Sequence, residues 1–362
     1  ELEKFNFIPT PGAKNRLKKL INYINVNVPV LLEGETGTAK TISAEIACKI
    51  LKREYIRFNL SSETTIQDLF GQYVGDKNSW AGISMIDGPF YEAFKTGKVL
   101  ILDEINLASQ SVLQCIEESL DSGYLSIVIS GRILNSIKMN KDFRLIATQN
   151  PNKGFYSLKR QNLGLKFKSR FQIINFPELT ENELFQIANG LSETFSKGSP
   201  VECDHEKISE VVKELVNFHM KWSKFHESLN DPQCFTIREI SASIKAIVEG
   251  KNIHDTIMTI YGARYQLNIK NKMIEELNNY PHLSIVQETF EIPYFPGCFI
   301  NNSLQNAVKS ILFSLNNHRN VILTGKNGCG ITQLALWISE YYNKKIKDNK
   351  KKENIEINNN DK

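Results

Sequence analysis

The hydrophobic pattern of the first half of the chain predicts strands that alternate with helices. Residues 13–25 carry apolar side chains at helical spacing, and the apolar run 28–32 follows as a short buried strand. Further apolar strands are predicted at 55–60, 99–102, 143–148 and 172–176, mostly with helical patterns between them. Buried strands in this arrangement are typical of an α/β fold with a parallel sheet.

Two stretches between these strands have a different pattern. Residues 75–88 predict a loop or hairpin insert, and the alternating residues 125–139 predict a hairpin that turns at Gly131 and Arg132. We therefore expect the sheet core to carry insert hairpins.

The second half of the chain is helical. Pro177 ends the last of these strands, and Thr180 and Glu183 form a capping box. Helical patterns then cover 181–191, 207–225, 236–248 and 253–265. This predicts an α/β core over residues 1–178 and a small α-helical lid over residues 179–285.

Residues 286–343 repeat the order of elements found at 13–50. A helix is predicted at 303–315 and a strand at 320–323, followed by a glycine loop and another helix. The repeat predicts the beginning of a second module, although a glycine turn within one domain is the alternative. Its loop carries Ile331 where the first loop has Lys40, so the second module is degenerate. Residues 344–362 are rich in Lys and Asn and predict a disordered tail.

The loop after the first strand has the layout of a phosphate-binding loop, with the sequence Gly34-Glu35-Thr36-Gly37-Thr38-Ala39-Lys40-Thr41. Gly34 and Gly37 allow backbone N–H groups to approach an anion. Lys40 would neutralise the β- and γ-phosphates, and the Thr41 hydroxyl would bind Mg²⁺. Ala39 stands where the pattern has glycine. Because alanine tolerates helical φ and ψ angles, we expect nucleotide binding to survive.

Polar side chains follow two of the predicted strands. Asp103 and Glu104 end the strand at 99–102, and Asn150 follows the strand at 143–148. Ligands of open α/β sheets bind at the carboxyl ends of the strands. There Asp103 could hold Mg²⁺, often through water, and Glu104 could polarise an attacking water. Asn150 could hydrogen-bond the γ-phosphate or that water, although Asn before Pro is also typical of a simple turn.

Composition limits the classes of function. The net charge of +4 is modest and much of the basicity lies in the tail, so a nucleic-acid motor is disfavoured. No apolar run approaches the length of a membrane span. The six cysteines include no C-x-x-C pair and predict no metal site. The first residues are charged and lack Met, which suggests a segment of a longer intracellular protein.

Together these motifs resemble an AAA+ ATPase module of the MoxR, midasin and dynein-related branch. The resemblance rests on four segments in the same order, namely 34–41, 100–108, 147–151 and 169–171. Three sequence segments, 87–89, 103–108 and 261–265, most resemble the midasins. Midasins are the large six-module ATPases of ribosome assembly. The implied fold is a P-loop NTPase core with insert hairpins, followed by a helical lid and the start of a second AAA+ module.

The resemblance also implies a role for each matching residue. Residues 34–41 correspond to Walker A, Asp103 and Glu104 to Walker B with Glu104 as the catalytic carboxylate, and Asn150 to sensor 1. Arg170 corresponds to the arginine finger, which acts on the nucleotide of a neighbouring module. Arg238 corresponds to sensor 2, with a surface arginine as the alternative. ATP and Mg²⁺ are the implied cofactors, with Thr41 and Asp103 as metal-binding residues.

The implied function is a mechanoenzyme module that couples ATP hydrolysis to remodelling of a protein or ribonucleoprotein assembly. Its partners would be neighbouring AAA+ modules in a six-membered ring, from the same longer chain or other copies. In a midasin-like protein the substrate would be the precursor large ribosomal subunit in the nucleus, with no membrane partner and no sequence-specific nucleic-acid binding. The alternatives are a cytoplasmic MoxR-like chaperone for metal or cofactor insertion and a non-hydrolysing, nucleotide-binding structural module of a ring.

Overall fold

A computed structural model describes residues 7–75, 83–129, 132–151, 160–197, 205–229, 235–284, 302–316, 320–326 and 328–344. Residues 345–362 of the predicted tail, the turns of both predicted hairpins and all of 286–301 lie outside these residues. The chain divides into two compact units, Glu1–Ile244 and Lys245–Lys362. The division falls within the stretch predicted as a lid, whose boundaries stay a prediction.

The strands described in the first unit are, in chain order, β1 (Val30–Gly34), β2 (Tyr55–Asn59), β3 (Gly71–Gly75), β4 (Ile83–Asp87), β5 (Val99–Asp103), β6 (Tyr124–Ile129), β7 (Arg132–Lys138), β8 (Arg144–Gln149) and β9 (Gln172–Phe176). The helices described along the chain are α1 (Pro11–Asn25), α2 (Lys40–Ile50), α3 (Ile66–Phe70), α4 (Pro89–Thr96), α5 (Gln110–Ser122), α6 (Leu165–Lys168), α7 (Glu181–Ser196), α8 (His205–Ser228), α9 (Ile237–Val248), α10 (Ile253–Ile260), α11 (Leu267–Leu277), α12 (Asn302–Asn316) and α13 (331–344).

Five strands form the parallel sheet that the apolar runs predict. Their order is β2-β5-β8-β1-β9, so β8 lies between the strand that leads into the glycine loop and the strand that ends in Asp103. The register pairs Leu102 with Ala147 and Leu32 with Thr148. The carboxyl ends of β1, β5 and β8 therefore meet at one edge, and the predicted P-loop NTPase fold is confirmed.

The central strands β1, β5 and β8 send alternate side chains into two separate cores. Leu31, Leu100 and Leu102 join the cluster that also contains Phe90 and Phe94 of α4. Their neighbours along the strands join a second cluster with α1 and α2, including Val30, Leu32, Ile101, Leu20 and Ala44. A strand buried on both faces must be apolar at every position, which explains the uninterrupted hydrophobic runs.

Both predicted insert hairpins form. β3 pairs antiparallel with β4, and β6 pairs antiparallel with β7 with one irregularity between Ile127 and Val128. The first hairpin begins at Gly71, four residues earlier than predicted. A Cβ on Gly88 would lie 2.5 Å from the Leu69 carbonyl oxygen, so the chain passes too closely there for a side chain.

The helical part of the first unit begins as predicted. The Thr180 hydroxyl accepts from the Glu183 N–H, and the Glu183 carboxylate accepts from the Thr180 N–H in return, which completes the capping box at the start of α7. In α8, the ring of Trp222 stacks on that of Phe218 at 5.9 Å. His219 of the same helix is also buried.

In the second unit the predicted strand at 320–323 is wrong. Val321 and Leu323 pack against a cluster formed by α12 and α13, whereas Ile322 is exposed. The side chains thus alternate as they would in a strand, but no strand is described in this unit to pair with. A β-strand needs a hydrogen-bonded neighbour, and the described residues of this unit supply none for the segment. Among the described residues no helix is long and apolar enough to cross a membrane.

Candidate functional site

The glycine loop follows β1 and lies against β9. A Cβ on Gly34 would lie 2.0 Å from the Phe176 carbonyl oxygen, so only glycine fits there. Gly37 has a φ angle of +84°, in the left-handed region that glycine enters freely. Both positions thus require glycine, Gly34 because of the close approach to β9 and Gly37 because of its backbone conformation, while their approach to an anion stays a prediction.

Ala39 does not have the right-handed helical conformation that we expected. Its φ and ψ angles are 66° and 27°, and it stands just before α2 as the residue that caps the helix. An L-residue in this left-handed region costs about 1–2 kcal/mol, because its Cβ approaches the backbone. The expectation that Ala39 takes right-handed helical angles is therefore wrong. Alanine strains the backbone of the loop at this position, whereas glycine would not.

Lys40 begins α2 and is buried beneath the loop. Its Nζ donates to the carbonyl oxygens of Gly34 and Glu35, each at 2.7 Å. Burial lowers the pKa of Lys40 to about 8, although the carboxylates of Glu104 and Glu35 oppose the shift. The loop thus holds a single buried ammonium at the place where phosphates would lie.

Asp103 connects the loop to the neighbouring strands. Its Oδ1 accepts from the Thr41 hydroxyl at 2.7 Å and from the Thr148 hydroxyl at 3.0 Å. Its Oδ2 accepts from Nε of Arg57 at 2.6 Å. Asp103 is buried, so these three donors replace the water that a carboxylate otherwise requires.

Glu104 follows in a strained conformation. Its φ angle is +56°, in the left-handed region, and its N–H donates to the Thr148 hydroxyl at 3.1 Å. The amide of Asn150 donates to Oε1, and Nη2 of Arg160 lies 3.4 Å from Oε2. Strained backbone at the end of a buried strand often marks a functional residue. The structure thus brings Glu104, Asp103, Asn150, Lys40 and Thr41 together.

Arg170 lies apart from this cluster, on the surface of its own module. Its Nε donates to Oδ1 of Asp121 at 2.7 Å, and its Nη1 lies 3.0 Å from Oε1 of Glu117. The hydrogen bond with Asp121 raises the pKa of Arg170, although burial opposes the shift. These partners lie on α5 and are not residues of the Glu104 cluster, and the role of Arg170 as an arginine finger stays a prediction.

Arg238 lies at the start of α9, beside the glycine loop. A Cβ on Gly37 would lie 2.9 Å from Cβ of Thr236, two residues before Arg238. The Thr236 hydroxyl accepts from the Arg238 N–H at 3.2 Å, and the Arg238 side chain is exposed. The helix is thus in reach of the loop, while the sensor 2 role stays a prediction.

Four residues of this site were not predicted as site residues: Arg57, Thr148, Arg160 and Thr236. Thr148 lies within the segment 147–151 that carries the family resemblance, so its position in the sequence could have identified it as a site residue. Arg160 lies in a basic loop-like stretch of the sequence. The sequence shows its charge but does not show that Glu104 is its partner. Arg57 lies on β2, and only the strand order brings it to Asp103.

The donor set fits a magnesium nucleotide. The buried ammonium of Lys40 can bind phosphate oxygens. So can the backbone N–H groups of the glycine loop, which leads into the N-terminus of α2. A hydroxyl and a carboxylate in contact, Thr41 and Asp103, offer the oxygen ligands that Mg²⁺ prefers. Residues 34–41 would hold the phosphates, and Thr41 and Asp103 would hold the metal.

Comparison with known proteins agrees with this geometry. Residues 29–171 match the model of an AAA domain of the dynein-related subfamily. The midasin of Dictyostelium discoideum is 30% identical over 183 residues, and the midasin of Giardia intestinalis is 29% identical over 182. Each match covers 50% of this chain, and the chain spans only 3% and 4% of the two midasins.

A bacterial relative matches over a longer stretch. An uncharacterised protein of Staphylococcus saprophyticus is 27% identical over 271 residues, which cover 74% of this chain and 92% of that protein. Two solved structures also match, with TM-scores too low to carry an argument. NtrX from Brucella abortus in complex with ADP has a TM-score of 0.44 at 13% identity, covering 67% of this chain and 50% of that one. A putative ATPase from Cytophaga hutchinsonii has a TM-score of 0.39 at 16% identity, covering 73% and 80%.

The glycine loop, the acidic strand end and the family match coincide in the same stretch of sequence. Over residues 29–171 the chain is therefore similar to AAA domains of the dynein-related subfamily, and over half of its length it is similar to the two midasins.

Proposed function

We propose that this module binds ATP with Mg²⁺ and hydrolyses it. The observation that carries the proposal is the contact of Thr41 with Asp103, next to a Glu104 carboxylate that Asn150 holds in place. The groups needed for the metal, for the phosphates and for the attacking water thus lie within one cluster. ATP supplies the phosphoryl group, and the chemistry left to the protein is positioning and charge stabilisation.

Each side chain has a defined part in this proposal. Lys40 and the loop N–H groups neutralise the phosphates, and Asp103 and Thr41 orient the metal. Glu104 accepts a proton from the attacking water, while Asn150 fixes the carboxylate toward it. Arg170 acts on the nucleotide of the next module. Such a finger contributes about 10³–10⁵ in rate, so the isolated module is slow.

Nucleotide binding and single-turnover hydrolysis test the proposal. Wild type should bind ATP and hydrolyse it slowly, Lys40→Ala should lose binding, and Glu104→Gln should bind without hydrolysing. Lys49→Ala on the exposed end of α2 and Glu63→Gln in an exposed turn are matched controls that should resemble wild type. Binding without hydrolysis by wild type would favour the non-hydrolysing structural module, and absence of binding at millimolar ATP would contradict the proposal altogether.

We further propose that hydrolysis drives remodelling of a protein or ribonucleoprotein assembly by a ring of such modules. Similarity to two midasins supports a midasin-like role in releasing assembly factors from precursor large ribosomal subunits. That role, and a nuclear location, are predictions. The MoxR-like chaperone built from separate copies is the second candidate, because a bacterial relative aligns over 92% of its own length.

Mixing two inactive variants tests whether separate copies form the active interface. Arg170→Ala lacks the finger but keeps Glu104, and Glu104→Gln lacks the carboxylate but keeps the finger. If copies assemble, each variant alone is inactive, and the mixture recovers ATPase activity at interfaces that combine intact Glu104 with intact Arg170. A mixture as inactive as its components would count against assembly from separate copies and favour modules joined in one longer chain.

A further inference from the structure

Arg160 lies inside the cluster around Glu104, although no motif marks it. Its side chain is only 8% exposed, and its Nη1 donates to the Pro151 carbonyl oxygen at 2.9 Å. Its Nη2 lies 3.4 Å from Oε2 of Glu104. Its charge also contributes to the lowered pKa of Lys40, so the two cations lie near each other. A second buried cation is thus present beside the proposed phosphate position.

The main chain next to Arg160 is fixed to the same part of the fold. The Gln161 N–H donates to the carbonyl oxygen of Asn106 at 2.7 Å. The Asn106 side-chain amide donates to the carbonyl oxygen of Asn150 at 2.9 Å, and Asn106 is fully buried. Arg160 is therefore anchored to the turn that follows Glu104 and to the end of β8, which limits the positions its guanidinium can take.

The Glu104 carboxylate is engaged at both oxygens, by Asn150 at Oε1 and by Arg160 at Oε2. While Arg160 holds Oε2, that oxygen is less available to accept a hydrogen bond from an attacking water. The contact with Arg160 is long, whereas a guanidinium binds phosphate strongly and can do so with two parallel hydrogen bonds. A terminal phosphate can thus compete with Glu104 for Arg160.

We propose that Arg160 is a positioning residue that holds Glu104 in the absence of ATP and transfers to the terminal phosphate of bound ATP. This inference rests on the proposed ATPase function. ADP lacks the terminal phosphoryl group, so the pair of Arg160 and Glu104 persists with ADP and opens with ATP. Arg160 would thereby make the module bind ATP in preference to ADP. It would also release Glu104 only when a phosphoryl group is present to be transferred.

Binding of ATPγS and ADP to the whole chain, measured by titration calorimetry, tests the inference. Arg160→Ala should weaken ATPγS binding about tenfold and change ADP binding by less than about twofold, since only the terminal phosphate loses a charged hydrogen bond. Arg160→Lys keeps the charge and should recover part of the loss. Arg53→Ala is the matched control, because Arg53 bonds the Asp142 carbonyl oxygen at the opposite edge of the sheet.

A second variant tests the competition itself. Glu104→Gln removes the charge that competes for Arg160, so it should tighten ATPγS binding in the presence of Arg160 and have no such effect in the Arg160→Ala background. Thermal melting of each variant shows that it is folded. Equal loss of ATPγS and ADP binding in Arg160→Ala and Arg160→Lys, or no loss in either, would overturn the inference while wild-type binding stands. If wild type binds neither nucleotide, the proposed function fails and the inference fails with it.

Discussion

The hydroxyl of Thr41 donates to Oδ1 of Asp103 at 2.7 Å, across 62 residues of sequence. The bond joins the first turn of α2, the helix that follows β1, to the end of β5. In the sheet, β8 lies between β1 and β5. Because a hydroxyl and a carboxylate can share one metal ion, this pair predicts where Mg²⁺ affinity can be altered without changing Lys40 or the loop glycines.

Thr41→Val should raise the Mg²⁺ concentration needed for half-maximal single-turnover hydrolysis by about tenfold or more, because one oxygen next to the metal is lost. Asp103 keeps its bonds to Arg57 and Thr148, so the fold should persist. Thr41→Ser retains the hydroxyl and is the control. Equal Mg²⁺ dependence of the two variants would contradict the assignment of Thr41 to the metal.

Ala39→Gly should stabilise the protein. The φ angle of +66° strains alanine and not glycine, so we expect an increase of about 1 kcal/mol in the free energy of unfolding. Ala44→Gly in the interior of α2 is the opposite control and should destabilise by at least about 1 kcal/mol. Urea unfolding curves give both values, and a loss of stability in Ala39→Gly would refute the role of backbone strain.

Nucleotide affinity should fall as the pH rises above about 8. Burial lowers the pKa of Lys40 to about 8, so its ammonium is present at pH 7 and is lost at higher pH, when the phosphates lose their cation. We expect roughly tenfold weaker ATP binding at pH 9.5 than at pH 7. Lys40→Arg stays charged throughout this range and should show a flat profile, even if its affinity is lower.

Stability should also depend on pH through His219. Burial lowers its pKa to about 4, so the folded chain keeps the ring neutral while the unfolded chain takes up a proton below about 6.5. This contribution is complete above pH 6.5 and is lost as the pH falls toward 4. At pH 5 the loss is roughly 2 kcal/mol. Urea unfolding of His219→Gln should lack this part of the pH dependence, whereas His254→Gln should retain it.

The sequence predicts the sheet well because its central strands β1, β5 and β8 are covered on both faces and must be apolar, and such runs stand out between helical patterns. It predicts the motif residues because their chemistry requires particular side chains. The segment around Ile322 shows the limit, since the apolar alternation is present but no pairing strand occurs in the described part of its unit. Hydrogen-bonded neighbours are a property of the fold and are not written in a local pattern.

The site shows the same limit at two residues. The conformation of Ala39 could have been anticipated, because a position that usually takes glycine is one where the backbone turns left-handed. Arg160 could not, because its partner Glu104 is 56 residues away and only the fold brings them together. Motifs thus identify the residues that perform the chemistry more readily than those that hold them.

At Glu104 the residue that would be best for stability differs from the residue that the proposed chemistry needs. On conformational grounds glycine or asparagine suits a φ angle of +56° better than glutamate. A selection for heat resistance alone would therefore enrich Glu104→Gly and Glu104→Asn together with Ala39→Gly. The last change leaves the functional side chains intact, whereas the first two remove the carboxylate, so variants selected only for stability would include inactive modules that look improved.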